Sequence, residues 1–207
     1  MTNTFDKDYW ESHWQGGSER ASGRPIPPNP YLERELAGLT PGTVLDAGCG
    51  EGAEASWLAA QGWHVTAADI SAEALHRAAQ SGAIAEQVEW VEADLSVWSP
   101  DQQFDLVTTF YAHPAMPQLA FYERIADWVA PGGTLLIVGH ANTRGQAHGH
   151  GHNPPAEASI TAASVRATLD PNQWHIDTAE VRDRALTDRS GQTVSLSDIV
   201  VRATRRS

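Results

Sequence analysis

The chain contains little cysteine and no long apolar run. Its 207 residues include one cysteine, so no disulfide can form within the chain, which is typical of cytoplasmic proteins. No apolar run approaches the roughly 20 residues that a helix needs to cross a bilayer. Residues 1–8 are polar and acidic, unlike a secretory signal. We therefore expect a cytoplasmic protein that does not bind membranes.

Basic side chains are also scarce. Lys and Arg together number 14 against 26 Asp and Glu, and the formal net charge is −12 at pH 7. Proteins that bind nucleic acid gain much of their affinity from basic side chains that displace phosphate counterions. The short basic stretch at 202–206 follows a strand pattern and is interpreted as a solvated end. The composition therefore disfavours DNA and RNA as substrates.

The most informative segment is a glycine-rich turn at 46–52, which reads D-x-G-x-G-x-G. A strand pattern precedes this turn and a helix pattern follows it. Glycine lets the backbone turn sharply and approach a ligand closely. Asp69 ends the next strand pattern, at the spacing where a carboxylate accepts hydrogen bonds from a ribose. This order of elements predicts an adenine-bearing cofactor.

The form of the turn favours one cofactor over another. Dinucleotide sites read G-x-G-x-x-G and hold a pyrophosphate at the helix N-terminus. Here Glu54 stands at that helix start, where its carboxylate would repel a pyrophosphate but would suit the ammonium group of an amino acid. A cofactor with an amino-acid moiety is therefore favoured over NAD.

Strand and helix patterns alternate along the chain. This alternation predicts a mostly parallel sheet with helices on both faces. A turn signal at 188–191 joins the last two strand patterns into an antiparallel hairpin. The predicted strands are 43–47, 63–68, 87–92, 104–109, 133–139, 174–185 and 192–204, and the predicted helices are 5–15, 30–38, 53–61, 72–81, 117–130 and 162–169.

The turn at 46–52 resembles that of the class I S-adenosylmethionine-dependent methyltransferases. Further matching segments extend this resemblance over residues of about 40–140: 69–71, 92–95, 104–107 and 131–138. The resemblance implies a Rossmann-like, doubly wound, seven-stranded sheet with a C-terminal antiparallel hairpin and N-terminal helices. The implied activity is methyl transfer from S-adenosylmethionine to a small molecule.

The resemblance also implies roles for individual residues. Gly48 and Gly50 would pass beneath the adenosine and methionine portions of the cofactor. Asp69 would bind the ribose hydroxyls, and Ile70 would contact the adenine face.

Other cofactor contacts are expected where strands end, because ligands of doubly wound sheets lie beyond the carboxyl ends of the strands. The resemblance implies that Asp94 accepts a hydrogen bond from the adenine amino group, with the Leu95 amide beside it. The strand-end rule adds Asp46, Cys49 and Thr109.

A second resemblance lies near the N-terminus. Residues 9–17 and 27–32 are similar to the lead-in of thiopurine, thiol and tellurite methyltransferases, in which an aromatic segment folds over the cofactor. Trp10 and Trp14 are four residues apart and share one helical face. Either these tryptophans close the site, or the helix docks its aromatic face on the core.

His113 and His140 each follow a predicted parallel strand, so both are candidate catalytic residues on the acceptor side. A hydroxyl or amine acceptor needs a base near pH 7, and histidine is suited to that role. A thiolate, chalcogen oxyanion or halide needs little or none. The acceptor therefore remains open among thiol, chalcogen oxyanion, halide, hydroxyl and heteroaromatic compounds.

We expect one domain over 1–207. It would comprise a helical lid at 1–40, a cofactor-binding core at 41–139, a loop rich in histidine and glycine at 140–158, and a C-terminal helix and hairpin at 159–207. The loop carries four histidines, at 140, 148, 150 and 152, and imidazoles bind transition metals. The alternatives are thus a non-catalytic S-adenosylmethionine- or metal-binding protein or, less favoured, an NAD-dependent oxidoreductase. Nothing in the sequence indicates an oligomeric state.

Overall fold

The computed structural model describes residues 5–16, 27–80, 84, 87–141, 160–187 and 193–207. Its strands are β1 (Thr43–Ala47), β2 (His64–Asp69), β3 (Val88–Glu92), β4 (Phe104–Phe110), β5 (Val129–His140), β6 (Trp174–Thr187) and β7 (Thr193–Arg205). Its helices are α1 (Lys7–Gly16), α2 (Tyr31–Glu35), α3 (Ala53–Ala60), α4 (Ala72–Ala79), α5 (Gln118–Ala126) and α6 (Ala162–Thr168).

The seven strands form one sheet in the order β3-β2-β1-β4-β5-β7-β6. Strands β1 to β5 pair in parallel, whereas β7 runs antiparallel to both β5 and β6. The order reverses direction between β1 and β4, which is the point where doubly wound sheets bind ligands. The predicted fold class is confirmed.

Both faces of the sheet are buried. Successive residues of a strand point to opposite faces, so Val44 and Leu45 belong to two different core clusters. Val44 shares its cluster with Leu58 of α3, and Leu45 shares its cluster with Phe121 of α5. This double burial explains why the β1 segment reads as a continuous apolar run interrupted by Asp46.

Predicted helix starts agree with the structure where a cap is encoded. Ser71 caps α4 by accepting a hydrogen bond from Ala74 N, and Thr161 forms a capping box with Ser164 at the start of α6. Such caps satisfy amide groups that have no partner within the helix.

Several predicted boundaries are wrong, and the helix predicted at 30–38 ends at Glu35. The helix expected at 117–130 ends at Ala126, and β5 begins at Val129 instead of 133. Val129 pairs with Phe104 before a register shift that precedes the pair Leu106 and Thr134. The apolar spacing continues past the helix end because Val129 is buried in a strand, so periodicity alone missed the change.

Helix α1 packs against α4 through one carboxylate. Glu11 accepts hydrogen bonds from the amides of Ala72 and Glu73, at 2.7 and 3.3 Å, and from the Ser71 hydroxyl at 3.1 Å. A carboxylate is favourable there because a helix N-terminus carries a partial positive charge. Lys7 of α1 also forms a salt bridge with Glu92 at the end of β3.

Among the described helices, none has the length and apolar character that crossing a membrane requires. The predicted hairpin turn at 188–191 lies outside the described residues.

Candidate functional site

A cavity of about 280 Å³ opens at the carboxyl ends of β1, β2 and β4. The glycine turn, the ends of β2 and β4 and the aromatic side of α1 supply its walls. The residues that line it are Phe5, Trp10, Trp14, 48–54, Asp69, Ile70, Asp94, Leu95 and 110–114.

The glycine turn is held in a conformation that other residues rarely adopt. Gly48 has φ +82°, and a Cβ placed on it would lie 2.3 Å from the Ala112 Cβ. The amides of Gly48 and Cys49 donate to the carbonyl of Ala68. The turn is therefore packed against both β2 and the segment that follows β4, and its backbone forms one wall of the cavity.

Asp69 ties the turn to the end of β2. One carboxylate oxygen accepts from Gly50 N at 2.8 Å, and the other accepts from Ser71 N at 2.9 Å. Burial raises the pKa of Asp69, while these backbone donors favour its ionised form. A carboxylate offers about four acceptor sites, so further hydrogen bonds from hydroxyl groups can be accepted in the cavity.

Three other carboxylates line the same cavity: Glu51, Glu54 and Asp94. Glu51 faces Arg77 at 3.4 Å. Glu54 accepts a hydrogen bond from Asn29 N at 3.0 Å. The hydrogen bonds of Asp94 with Ser96 N and Oγ both use its Oδ1 atom. With Asp69, these groups give the glycine-turn side of the cavity a negative potential.

The aromatic face of α1 covers the cavity. Trp10 donates from its indole nitrogen to the carbonyl of His113 at 3.2 Å, and Phe5 stacks on Trp10. The Trp14 ring lies beside the turn, 3.2 Å from the position of a Cβ on Gly50. Both tryptophans that the sequence predicted for this site therefore line the cavity.

His113 lines the cavity from the segment that follows β4. Burial lowers the pKa of His113, and its Nδ1 atom lies 3.0 Å from Oε1 of Gln118. Gln118 Nε2 donates to the carbonyl of Ala112 at 2.9 Å. The imidazole is therefore held by the first residue of α5.

His140 lies behind this wall and is not among the residues that line the cavity. Its ring stacks on Tyr111 at a centroid distance of 4.5 Å and runs nearly parallel to His113 at 6.4 Å. Tyr111 has φ +55°, an uncommon conformation for a residue other than glycine. Strained backbone of this kind is concentrated at functional sites.

A buried polar network supports Tyr111, and sequence reasoning missed most of it. Asp198 is fully buried and accepts hydrogen bonds from Arg184 Nε at 2.6 Å and from the Tyr31 hydroxyl at 3.2 Å. Arg184 and Asn29 both donate to the Tyr111 hydroxyl at 3.2 Å. Asn29 and Tyr31 lie in the lead-in segment, but Arg184 and Asp198 are single polar residues in strand patterns, which carry no distinguishing signal.

Two predicted cofactor residues lie behind the cavity wall. Asp46 is almost fully buried and accepts a hydrogen bond from the Thr108 hydroxyl at 3.0 Å. Burial, reinforced by the negative charge of Glu54, raises the pKa of Asp46 to about 8. The Thr109 hydroxyl donates to the carbonyl of Ala47. These side chains point into the sheet and its packing, so they support the turn from behind.

The other predicted cofactor residues all line the cavity: Trp10, Trp14, Gly48, Cys49, Gly50, Asp69, Ile70, Asp94 and Leu95. The three remaining histidines of the loop, at 148, 150 and 152, lie outside the described residues. In the described part of the chain, no three His, Cys, Asp or Glu side chains are grouped to hold a metal ion.

Comparisons with known proteins agree with this geometry. Residues 44–133 match a family described as a methyltransferase domain. Trans-aconitate 2-methyltransferase from Azoarcus sp. (strain BH72) is 31% identical over 141 residues, which cover 65% of this chain and 54% of that protein. Thiocyanate methyltransferase 1 from Brassica oleracea is 26% identical over 168 residues, which cover 78% of this chain and 72% of that protein. The chain spans about half the length of the first curated relatives it matches.

A solved structure, the complex of DhpI with SAH, superimposes with a TM-score of 0.59 and 25% identity over 97% of both chains. The matched segment at 44–133 contains the glycine turn, Asp69 and Asp94. The chain therefore contains, at 44–133, a segment that matches the methyltransferase-domain family, on a fold that it shares with the DhpI–SAH complex.

Proposed function

We propose that this protein transfers the methyl group of S-adenosylmethionine to a small-molecule acceptor. The observation that carries the proposal is the hydrogen bond from Gly50 N to Asp69, which joins the turn after β1 to the end of β2 along one cavity. The cavity therefore combines close backbone approach with a buried carboxylate, which is what a nucleoside with an amino-acid tail requires.

The residues present fit that cofactor. Asp69 retains acceptor sites for the two ribose hydroxyls, and Ile70 lies beside it in the cavity wall. Asp94 and Leu95 line the same cavity after β3 and would hold the adenine edge. The backbone at 48–50 would lie against the remainder of the molecule.

The negative charge of the cavity also supports S-adenosylmethionine as the cofactor. S-adenosylmethionine carries a sulfonium and an ammonium, and four carboxylates line the cavity. Opposite charges attract most strongly where water is partly excluded. When bound, the cofactor supplies an electrophilic methyl carbon, and the protein aligns the acceptor with it.

Helix α1 would exclude water from the reacting atoms. Trp10 and Trp14 cover the cavity, and Glu11 fixes the helix to the segment next to Asp69. Exclusion of water strengthens electrostatic interactions in the site. We include the helix in the functional site, with the expectation that residues 1–30 become more protected when the cofactor binds.

Calorimetric titration with S-adenosylmethionine, S-adenosylhomocysteine and NAD tests the cofactor. We expect binding of the first two and none of NAD. Binding of NAD in place of S-adenosylmethionine would support an oxidoreductase and overturn the proposal.

Turnover separates an enzyme from a binding protein. Formation of S-adenosylhomocysteine would be followed with thiols, selenite, tellurite, halides, phenols and heteroaromatic amines. We expect methylation of one or more of these classes. Binding of S-adenosylmethionine without turnover on any of them would favour a non-catalytic binding protein.

A further inference from the structure

The hydrogen bonds of Gln118 define which nitrogen of His113 carries a proton. Gln118 Nε2 donates to the carbonyl of Ala112 at 2.9 Å, and a carbonyl only accepts hydrogen bonds. The other amide atom, Oε1, therefore faces His113 Nδ1 at 3.0 Å. Because Oε1 is an acceptor, Nδ1 must donate.

A neutral imidazole has one protonated and one bare nitrogen. With the proton on Nδ1, the lone pair is on Nε2. Burial lowers the pKa of His113, which keeps the ring neutral at pH values where a free histidine begins to take up a second proton. The His113 side chain lines the cavity, and a bare Nε2 that reaches the acceptor there could take up a proton.

Titratable groups of both signs surround His113, and its burial, not their charge, favours the neutral ring. The ring of His140 in β5 lies 6.4 Å from that of His113, and its Nδ1 atom lies 4.0 Å from Oδ1 of the buried Asp198. Asp198 in β7 also accepts a hydrogen bond from Arg184 in β6. The titratable side chains around His113 and its supports are Tyr111, Tyr122, His140, Arg184 and Asp198.

The charges of the cavity bear on the acceptor. Glu51, Glu54, Asp69 and Asp94 line the space that an acceptor shares with the cofactor. Arg77 and the cationic groups of bound S-adenosylmethionine would offset part of this charge. The remaining negative charge opposes an anion that enters from solvent, whereas a neutral molecule avoids this repulsion. A neutral acceptor with a hydrogen on its nucleophilic atom must lose that hydrogen during methylation.

We propose that Gln118 holds His113 in the Nδ1-protonated tautomer, so that Nε2 takes the proton of a neutral acceptor with an ionisable hydrogen on sulfur, oxygen or nitrogen. The inference rests on the proposed methyltransferase function and narrows its substrate class. His113 is then the catalytic base, and Gln118 is a positioning residue.

The step balances with these groups alone. The acceptor heteroatom forms a bond to the methyl carbon while the carbon–sulfur bond breaks, and that bonding electron pair stays on sulfur. The acceptor hydrogen passes to Nε2 of His113 as a proton, which the imidazolium later releases to water. The products are the methylated acceptor and S-adenosylhomocysteine.

The tautomer is tested without any acceptor by nitrogen-15 NMR of labelled histidines, with His113→Asn to assign the signals. At pH 7.5 we expect a protonated Nδ1 and a bare Nε2 in the wild type, and loss of this preference in Gln118→Leu. A protonated Nε2 in the wild type would overturn the proposal. So would an unchanged tautomer in a folded Gln118→Leu variant.

A second variant keeps the test decisive if Gln118→Leu does not fold. Gln118→Glu retains an oxygen for Nδ1 and adds a negative charge, which raises the pKa of His113. The acid limb of the rate–pH profile should move to higher pH, whereas a purely structural role would change the rate at every pH equally. The matched control is Gln103→Leu, because Gln103 is exposed and donates to the carbonyl of Asp127.

The acceptor class is tested by the charge of the compounds that react. We expect neutral thiols, phenols or heteroaromatic amines to react with higher kcat/KM than thiocyanate, iodide or tellurite. His113→Asn should lower turnover of the neutral acceptors by about 10²–10⁴-fold. Preferred methylation of the anions would overturn the inference while leaving the proposed function intact. Failure to bind S-adenosylmethionine would instead count against the proposed function.

Discussion

The two sides of the cavity are built differently. On the proposed cofactor side, the turn after β1 donates backbone amides to the end of β2: Gly48 and Cys49 bind the Ala68 carbonyl, and Gly50 binds the Asp69 carboxylate. On the proposed acceptor side, Tyr111 is held by the side chains of Asn29 and Arg184, and Arg184 in turn contacts Asp198. The first construction depends on short contiguous motifs. The second depends on the tertiary fold to bring together residues that are far apart in sequence.

This difference explains why the cofactor class can be inferred from the sequence and the acceptor cannot. A backbone-built site needs glycine at particular positions and a carboxylate at a strand end, which leaves a recognisable pattern. A site built from single side chains on separate strands leaves none. We expect the two sides to respond differently to substitution as well.

The largest effect is expected at Gly48. Its φ of +82° and the 2.3 Å approach of an added Cβ to Ala112 predict that Gly48→Ala loses about 2–5 kcal/mol of stability, from backbone strain and overpacking. Cofactor binding should fall with it. Denaturant unfolding and calorimetry measure both.

Gly38 is the matched control for this substitution. It has φ +84° and no atom within 4 Å of an added Cβ. Gly38→Ala should therefore lose only the conformational component, about 1–2 kcal/mol, and should bind S-adenosylmethionine normally. Equal losses in the two variants would show that packing against Ala112 is unimportant.

Asp69→Ala should have the next largest effect. It removes the acceptor of two backbone amides and the proposed ribose contact, so we expect S-adenosylmethionine affinity to fall by about 1–3 kcal/mol. Calorimetry measures the change, with the exposed Asp101→Ala as control. Wild-type affinity in Asp69→Ala would remove this residue from the cofactor site.

Much of the fold was predictable because its signals are local. Strand β1 has its predicted bounds, and α4 and α6 begin at their predicted first residues, after the caps Ser71 and Thr161. The end of α5 was missed because Val129 is buried by strand pairing with Phe104. His140 was expected to face the cavity because it follows a strand, yet Tyr111 lies against its ring. Strand order alone does not specify which of two neighbouring side chains lines a pocket.

The pH dependence of stability should have opposite signs on the two sides. On the cofactor side, the pKa of Asp46 is raised to about 8 in the folded protein. The folded state thus holds a proton that the unfolded state releases, and stability falls as pH rises between about 4 and 8. Asp46→Asn should remove a slope of up to about 1.4 kcal/mol per pH unit. Denaturant unfolding of the wild type and of Asp46→Asn across this range measures the difference between their stabilities. That difference would be constant with pH if Asp46 were ionised in the folded state.

On the acceptor side, burial lowers the pKa of His113. The unfolded state takes up a proton first as the pH falls, so the stability that depends on a neutral His113 is present above about pH 6.5 and is lost below it. The stability difference between wild type and His113→Asn should therefore shrink as the solution becomes more acidic. The same unfolding series measures this trend, and a difference that grows on acidification would contradict it.

The smallest effect on stability is expected where α1 joins the two sides. Glu11 accepts from the first residues of α4, while Trp10 of the same helix donates to His113 on the acceptor side. Glu11→Gln retains one acceptor oxygen and loses the negative charge at the helix N-terminus, so unfolding should become easier by only about 0.3–1 kcal/mol. The exposed Glu33→Gln is the matched control. Because this carboxylate lies next to Asp69, hydrogen exchange in Lys7–Gly16 should be faster in Glu11→Gln, and added S-adenosylmethionine should slow it in the wild type. If the cofactor leaves exchange in this helix unchanged, α1 is a fixed part of the core and does not couple the two sides of the cavity.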